Sequence, residues 1–145
     1  MTVIAQNPVQ QHIRKLWELV RMLYAVDGSC GVILAKCTNA NPRFLVQLQS
    51  FINKHDPRLK LECYYDDQTR VLGMVLEDRA LAGTHYIALV CKDYLERHDL
   101  LAGQILVAGF PECGEPEERM FAKWFRSVME GARHPKSIRI VSGES

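Results

Sequence analysis

The residues best suited to chemistry are a pair of adjacent acids, Asp66-Asp67, five histidines and five cysteines. Paired carboxylates in a turn can hold a divalent cation when further oxygen ligands converge on them. Such ligands would come from the stretch after the apolar run Gly31–Cys37, which supplies only Lys36 and asparagines. No metal site is therefore expected. The following loop, Thr38-Asn39-Ala40-Asn41-Pro42, lacks the glycines and the Gly-Lys-Ser/Thr that let backbone amides cradle a phosphate. Hydrolysis of a nucleotide there is not expected. Thr38, Asn39 and Asn41 remain a candidate anion-binding set at the start of a helix. His12, His55, His85, His98 and His134 are scattered. Cys91 and His98 lie seven residues apart, two helical turns or about 10 Å, too far for a thiol and its base. No G-x-S-x-G, H-E-x-x-H or kinase motif is present. The chain is read as a non-enzyme with no cofactor.

The segment Tyr64-Tyr65-Asp66-Asp67-Gln68-Thr69-Arg70 offers a contact surface instead. Neighbouring strand residues point to opposite faces, so one of Tyr64 and Tyr65 is expected to be exposed beside the acidic turn. An exposed aromatic next to acids suits a protein interface with a basic rim. Tyr64, Tyr65, Asp66, Asp67 and Arg70 are the candidate partner-binding residues. Phe121, Trp124 and Phe125 stand at helical spacing and read as core, as do Trp17 and Tyr24.

Cys30, Cys37, Cys63, Cys91 and Cys113 are odd in number, with no C-x-x-C and no zinc-finger spacing. Free thiols in a reducing compartment follow, with Cys37, Cys63 and Cys91 as small core residues. The opening MTVIAQNPVQQ lacks a basic and an apolar region, so a signal peptide is not expected. No apolar run approaches membrane-spanning length. A cytoplasmic protein is the expectation. The formal net charge of +1 conceals segregation. Residues 1–60 carry eight Lys/Arg against three Asp/Glu, residues 61–118 four against twelve, and residues 119–145 six against two. Basic and acidic thirds either face each other within the fold or form a two-signed surface that orients a protein partner. Neither the charge nor its spacing gives a nucleic-acid footprint.

These groups are positioned by elements that the periodicity outlines. Ile13, Leu16, Trp17, Val20, Leu23 and Tyr24 make residues 9–25 an amphipathic helix, capped by Asn7 and ended by Asp27-Gly28. Residues 31–37 read as a buried strand. Asn41 caps a helix over 42–54 with Leu45, Leu48 and Ile52 buried. Residues 59–76 form a hairpin about the turn at 66–69. Asp78 caps a helix over 79–98 with Leu81, His85, Ala88, Leu89, Lys92 and Leu95 along one side. Gln104–Phe110 is a strand, Glu117 and Glu118 open a helix ending at Gly131, and Ser137–Val141 is a last edge strand. The order α-β-α-β-β-α-β-α-β predicts one α/β domain over residues 1–145, with tails at 1–7 and 142–145. Its architecture is a mixed sheet of four to five strands with helices mostly on one face, ferredoxin-like or palm-like.

That order over residues 8–141 is similar to the GGDEF, or nucleotide-cyclase palm, domain. The hairpin E-C-Y-Y-D-D-Q-T-R-V-L-G-M-V-L resembles a degraded form of that family's signature hairpin, with Tyr64-Tyr65-Asp66-Asp67-Gln68 where the signature falls. Tyr64 and Tyr65 would replace both signature glycines. The metal-binding Asp after the first strand has no counterpart in A-K-C-T-N, one helix stands where the family has two, and the R-x-x-D motif is absent. The resemblance implies a catalytically dead domain. Residues 14–52 also resemble the helix-strand-helix opening of degenerate P-loop segments in bacterial signal-transduction ATPases, again without the phosphate loop. The expectation is a protein–protein interaction module of bacterial signalling: a small adaptor, regulator or assembly subunit contacting another protein, a larger complex or copies of itself. The alternative is a nucleotide-binding regulatory domain derived from a cyclase-palm or P-loop-like fold.

Overall fold

The computed structural model describes residues 8–38, 41, 43–130 and 137–141. In chain order they form α1 (Pro8–Asp27), β1 (Cys30–Cys37), α2 (Phe44–His55), β2 (Leu61–Asp66), β3 (Val71–Glu77), α3 (Leu81–Arg97), β4 (Leu101–Phe110), α4 (Glu118–Glu130) and β5 (Ile138–Ile140). The expected α/β architecture is present, with every predicted element within a few residues of its place. The expected caps at Asn7 and the helix stop at Gly131 lie outside the described residues, as do both tails.

One five-stranded sheet has the order β2-β3-β1-β4-β5. β1 pairs antiparallel with β3 and β4, β2 pairs antiparallel with β3, and β5 lies parallel to β4. β1 and β2 are thus parallel to each other with β3 between them, joined by α2. β3 and β4 are likewise parallel with β1 between them, joined by α3.

The period-2 alternation of side chains divides the core in two. Ile33, Ala35, Leu72, Met74, Leu76, Ile105 and Val107 face α2 and α3, where they meet Phe44, Leu48, Ile52, Ile87, Ala88, Cys91 and Leu95. Val32, Leu34, Val75, Leu106, Ala108 and Phe110 face α1 and α4, where they meet Ile13, Leu16, Val20, Phe121, Trp124, Phe125 and Val128. This corrects the expectation of helices mostly on one face: each face carries two. The connections through α3 and α4 both join parallel strands and both step the same way across the sheet. The general preference for one hand would put both helices on the same face; lying on opposite faces, they have opposite hands, and one of the two connections departs from that preference.

Two glycines let α3 approach the sheet. A Cβ on Gly109 would lie 2.6 Å from Leu81 backbone atoms, and one on Gly31 would lie 1.9 Å from Thr84 Oγ1. Asp78 is not the α3 cap: it has φ 53° and accepts from Ser29 Oγ at 3.1 Å. Ala80 holds the cap position, and the Glu112 carboxylate accepts from the Leu81 N–H at 3.2 Å. The buried stripe of α3 runs through Thr84, Ile87, Ala88, Cys91, Tyr94 and Leu95, while Leu89 is half exposed.

α1 and α4 pack antiparallel. Trp17 Nε1 donates to the Pro116 carbonyl at 3.1 Å, Arg14 pairs with Glu118 at 3.2 Å, and His12 lies against Phe125 further along.

Candidate functional site

The β2–β3 turn is built by one carboxylate. Asp66 Oδ2 accepts from the Thr69 N–H at 3.2 Å and from the Thr69 hydroxyl, and Oδ1 accepts from the Gln68 N–H at 3.4 Å. The chain closes through Arg70 N–H to the Asp66 carbonyl at 2.7 Å, with Arg70 at φ 61°. The turn is then fastened to β1: the Cys37 N–H donates to the Arg70 carbonyl at 2.8 Å, and Lys36 Nζ donates to the Thr69 carbonyl. Thr69 is buried, while Asp67, Gln68 and Arg70 are exposed. Asp66 is therefore a structural residue rather than a free surface acid, and the exposed part of the tip is Asp67 to Arg70 without Thr69.

Both tyrosines are half-buried, which corrects the expectation that one is exposed. Tyr64 points toward α1. Lys15 Nζ sits 4.7 Å from its ring centroid, His12 makes an edge contact at 6.3 Å, and its hydroxyl donates to Glu62. Burial, with Glu62 adding to it, pushes the Tyr64 phenol up to about 12. Tyr65 points toward α2, edge-on to Phe44 at 5.1 Å, and its hydroxyl donates to the Thr38 carbonyl at 3.4 Å. With a helix on each face, neighbouring strand residues each find a cover.

His12 is the group that sequence reading missed. It sits between Tyr64 and Phe125, and its Nε2 is buried with no hydrogen-bond partner. Burial lowers its pKa, Asp66 raises it and Lys15 lowers it further. Its spacing to Lys15 put both on one flank of a helix, but only the strand order brings Tyr64 beneath them. Lys36, on the same side of the sheet, also has a lowered pKa, from burial first and then from Arg70.

The candidate anion set is occupied by its own backbone. Thr38 Oγ1 donates to the Asp99 carbonyl at 3.0 Å, and the Thr38 N–H donates to the Leu100 carbonyl at 2.8 Å. Asn41 Oδ1 accepts from the Arg43 N–H at 3.0 Å. Asn39 lies outside the described residues. The Tyr65 side chain reaches from the hairpin to the Thr38 carbonyl and the Phe44 ring.

Thiol nucleophiles are poorly served. All five cysteines are free and Cys63 alone is half-buried rather than buried. Burial pushes the thiols of Cys30, Cys37 and Cys63 up to about 12, and that of Cys91 well above its ordinary value. A thiol is a nucleophile only as thiolate, so these are inert near neutral pH. His98, exposed, packs on Tyr94 at 4.3 Å, away from the buried Cys91. No group of three His, Cys, Asp or Glu side chains among the described residues is placed to hold a metal ion.

Arg14–Glu118 and Arg79–Asp56 join distant parts of the chain, whereas Lys92–Glu96, Arg97–Asp93 and Arg119–Glu117 are local pairs. Grooves lie elsewhere on the surface. One of about 380 Å³ between α1 and α4 is lined by Gln10, Ile13, Arg14, Glu118, Arg119 and Ala122. Another of about 460 Å³, at the opposite end of the sheet from the turn, includes Asp27, Lys60, Glu77 and Asp78. No helix among the described residues is long and apolar enough to cross a membrane.

No protein-family model, curated protein or solved structure matches the chain.

Proposed function

We propose that this chain is a protein–protein interaction module, an adaptor, regulator or assembly subunit, whose contact surface is the tip of the β2–β3 hairpin. The observation that carries this reading is the build of the tip. A turn fixed by Asp66 and fastened to β1 presents Asp67, Gln68 and Arg70 to solvent without further ordering. A preorganised polar surface loses little entropy on docking. The thiols, by contrast, are buried and protonated, and the acids that could serve as bases are engaged in turns or exposed. The tip presents Asp67 beside Arg70, so the fitting partner sets a basic group against the first and an acidic group against the second.

The test is affinity capture from cell extract with wild type and Asp67→Lys, followed by reconstitution of the complex from purified components. One protein bound in fixed stoichiometry, with affinity reduced at least about tenfold by the variant, supports the reading. An unchanged affinity contradicts it.

A nucleotide-binding regulatory domain is the second reading. The strand order β2-β3-β1-β4, with α2 and α3 on one face, is what favours a ferredoxin-like or palm-like descent. The Tyr65 hydroxyl, placed on the Thr38 carbonyl, argues against a nucleotide there. Saturable binding of ATP or GTP by equilibrium dialysis, enhanced in Tyr65→Ala, would favour this second reading.

A further inference from the structure

We propose that two copies of the chain pair antiparallel along their β2 strands, with Cys63 on the two-fold axis, so that the two sheets become continuous. This rests on the interaction reading and names a second copy as one partner, at the strand beside the tip.

β2 lies at the end of the sheet, and among the described residues no strand lies beyond it. Its register with β3 runs unbroken from Leu61↔Leu76 to Asp66↔Val71, without proline or bulge. A regular edge without proline or bulge can template a further strand, provided that the charges along it are matched by the incoming strand. Which backbone groups point outward follows from two hydrogen bonds. The Glu77 N–H donates to the Lys60 carbonyl, so Lys60, Glu62, Tyr64 and Asp66 turn their backbone groups to β3. The Cys37 N–H donates to the Arg70 carbonyl, which puts the even positions of β3 toward β1 and agrees with that assignment. Leu61 and Cys63 therefore direct N–H and C=O away from the sheet.

A second β2 must present the same positions, so a two-fold axis falls at residue 62, 63 or 64. The side chains of Lys60, Glu62, Tyr64 and Asp66 share the α1 side of the sheet, and their charges choose among the three. An axis at Glu62 sets Glu62 against its own copy. An axis at Tyr64 sets Glu62 against Asp66 twice. An axis at Cys63 sets Lys60 against Asp66 twice and Glu62 against Tyr64 twice, with no like charges opposed. Opposite charges directly across a strand pair stabilise it and like charges oppose it. A two-fold interface requires such self-complementarity, each contact occurring in both directions. The Asp66 carboxylate accepts from the turn on its own strand's side, and Lys60 is exposed. This charge complementarity is what selects a second copy over a foreign strand.

The experiment is sedimentation of the full chain across a concentration series at low salt, together with amide hydrogen exchange at each concentration. A concentration-dependent dimer is expected, in which the Leu61 and Cys63 amides become protected as dimer forms. Lys60→Asp, at an exposed position, is expected to weaken dimerisation at least about tenfold while leaving the monomer folded. A monomer at every concentration overturns the proposal, as does a dimer that Lys60→Asp does not weaken or in which those amides stay unprotected. Protection of those amides only by a foreign protein also overturns it, and leaves the interaction reading standing.

Discussion

The Asp66 carboxylate holds Thr69 twice, through the backbone N–H at 3.2 Å and through the side-chain hydroxyl, and thereby fixes the loop that presents Asp67. Two adjacent acids thus have different roles. Asp66→Ala leaves a buried Thr69 hydroxyl unpaired and is expected to cost about 1–3 kcal/mol in urea unfolding. Asp67→Ala, at an exposed position, is expected to stay within about 0.5 kcal/mol of wild type. Equal effects would contradict the division.

His12 makes stability depend on pH. Its pKa in the fold lies below the ordinary 6.5, chiefly because burial disfavours the charged ring. The unfolded chain therefore takes up the proton first as pH falls. The stabilisation from a neutral His12 is complete above about pH 6.5 and is lost as the pH drops below that value toward the folded pKa. Urea unfolding of wild type and His12→Gln at pH 7.5 and 5.5 checks this, the wild type losing more of its stability on acidification. NMR should show the His12 ring titrating below 6.5. A ring titrating above 6.5 would contradict the burial argument.

The thiols are expected to resist alkylation. Iodoacetamide near neutral pH should label the native protein slowly, with Cys63 first because it alone is half-buried. In denaturant, without reductant, all five should react. Fewer than five would reveal a disulfide.

Two glycines should answer to alanine in opposite directions. Gly109→Ala drives a methyl to 2.6 Å from the Leu81 backbone and is expected to destabilise by about 1–3 kcal/mol. Gly83→Ala, inside α3, meets the Arg79 side chain only at 3.5 Å and is expected to stabilise by up to about 1 kcal/mol through helix propensity. Thermal denaturation of both variants checks the close approach of α3 to the sheet.

The element order was legible because each segment carries its own period: Ile13, Leu16 and Val20 for a helix, the alternation of Leu59, Leu61 and Cys63 for a strand. The α3 stripe was harder to place, since Leu81, Ile87, Leu89 and Val90 surround much of that helix and blur its period. The distribution of helices over both faces was not legible at all. It depends on the hand of the α3 and α4 connections, which no local pattern records. That one omission accounts for the errors at the hairpin. With helices assumed on one face, Tyr64 or Tyr65 had to be exposed. With α1 on one side and α2 on the other, Lys15 covers Tyr64 and Phe44 covers Tyr65. The role of Asp66 was hidden likewise, because Asp-rich turns are common whether or not the carboxylate closes the turn.

Site-specific photo-crosslinking in cells tests the interaction surface most directly. A photoreactive residue replacing Gln68, exposed at the tip, is compared with the same residue replacing Ala82, exposed at the start of α3 near the opposite end of the strands. A discrete protein adduct is expected from position 68 and none, or a different one, from position 82. No adduct at 68, or the same adduct from both positions, would contradict the hairpin tip as the contact site.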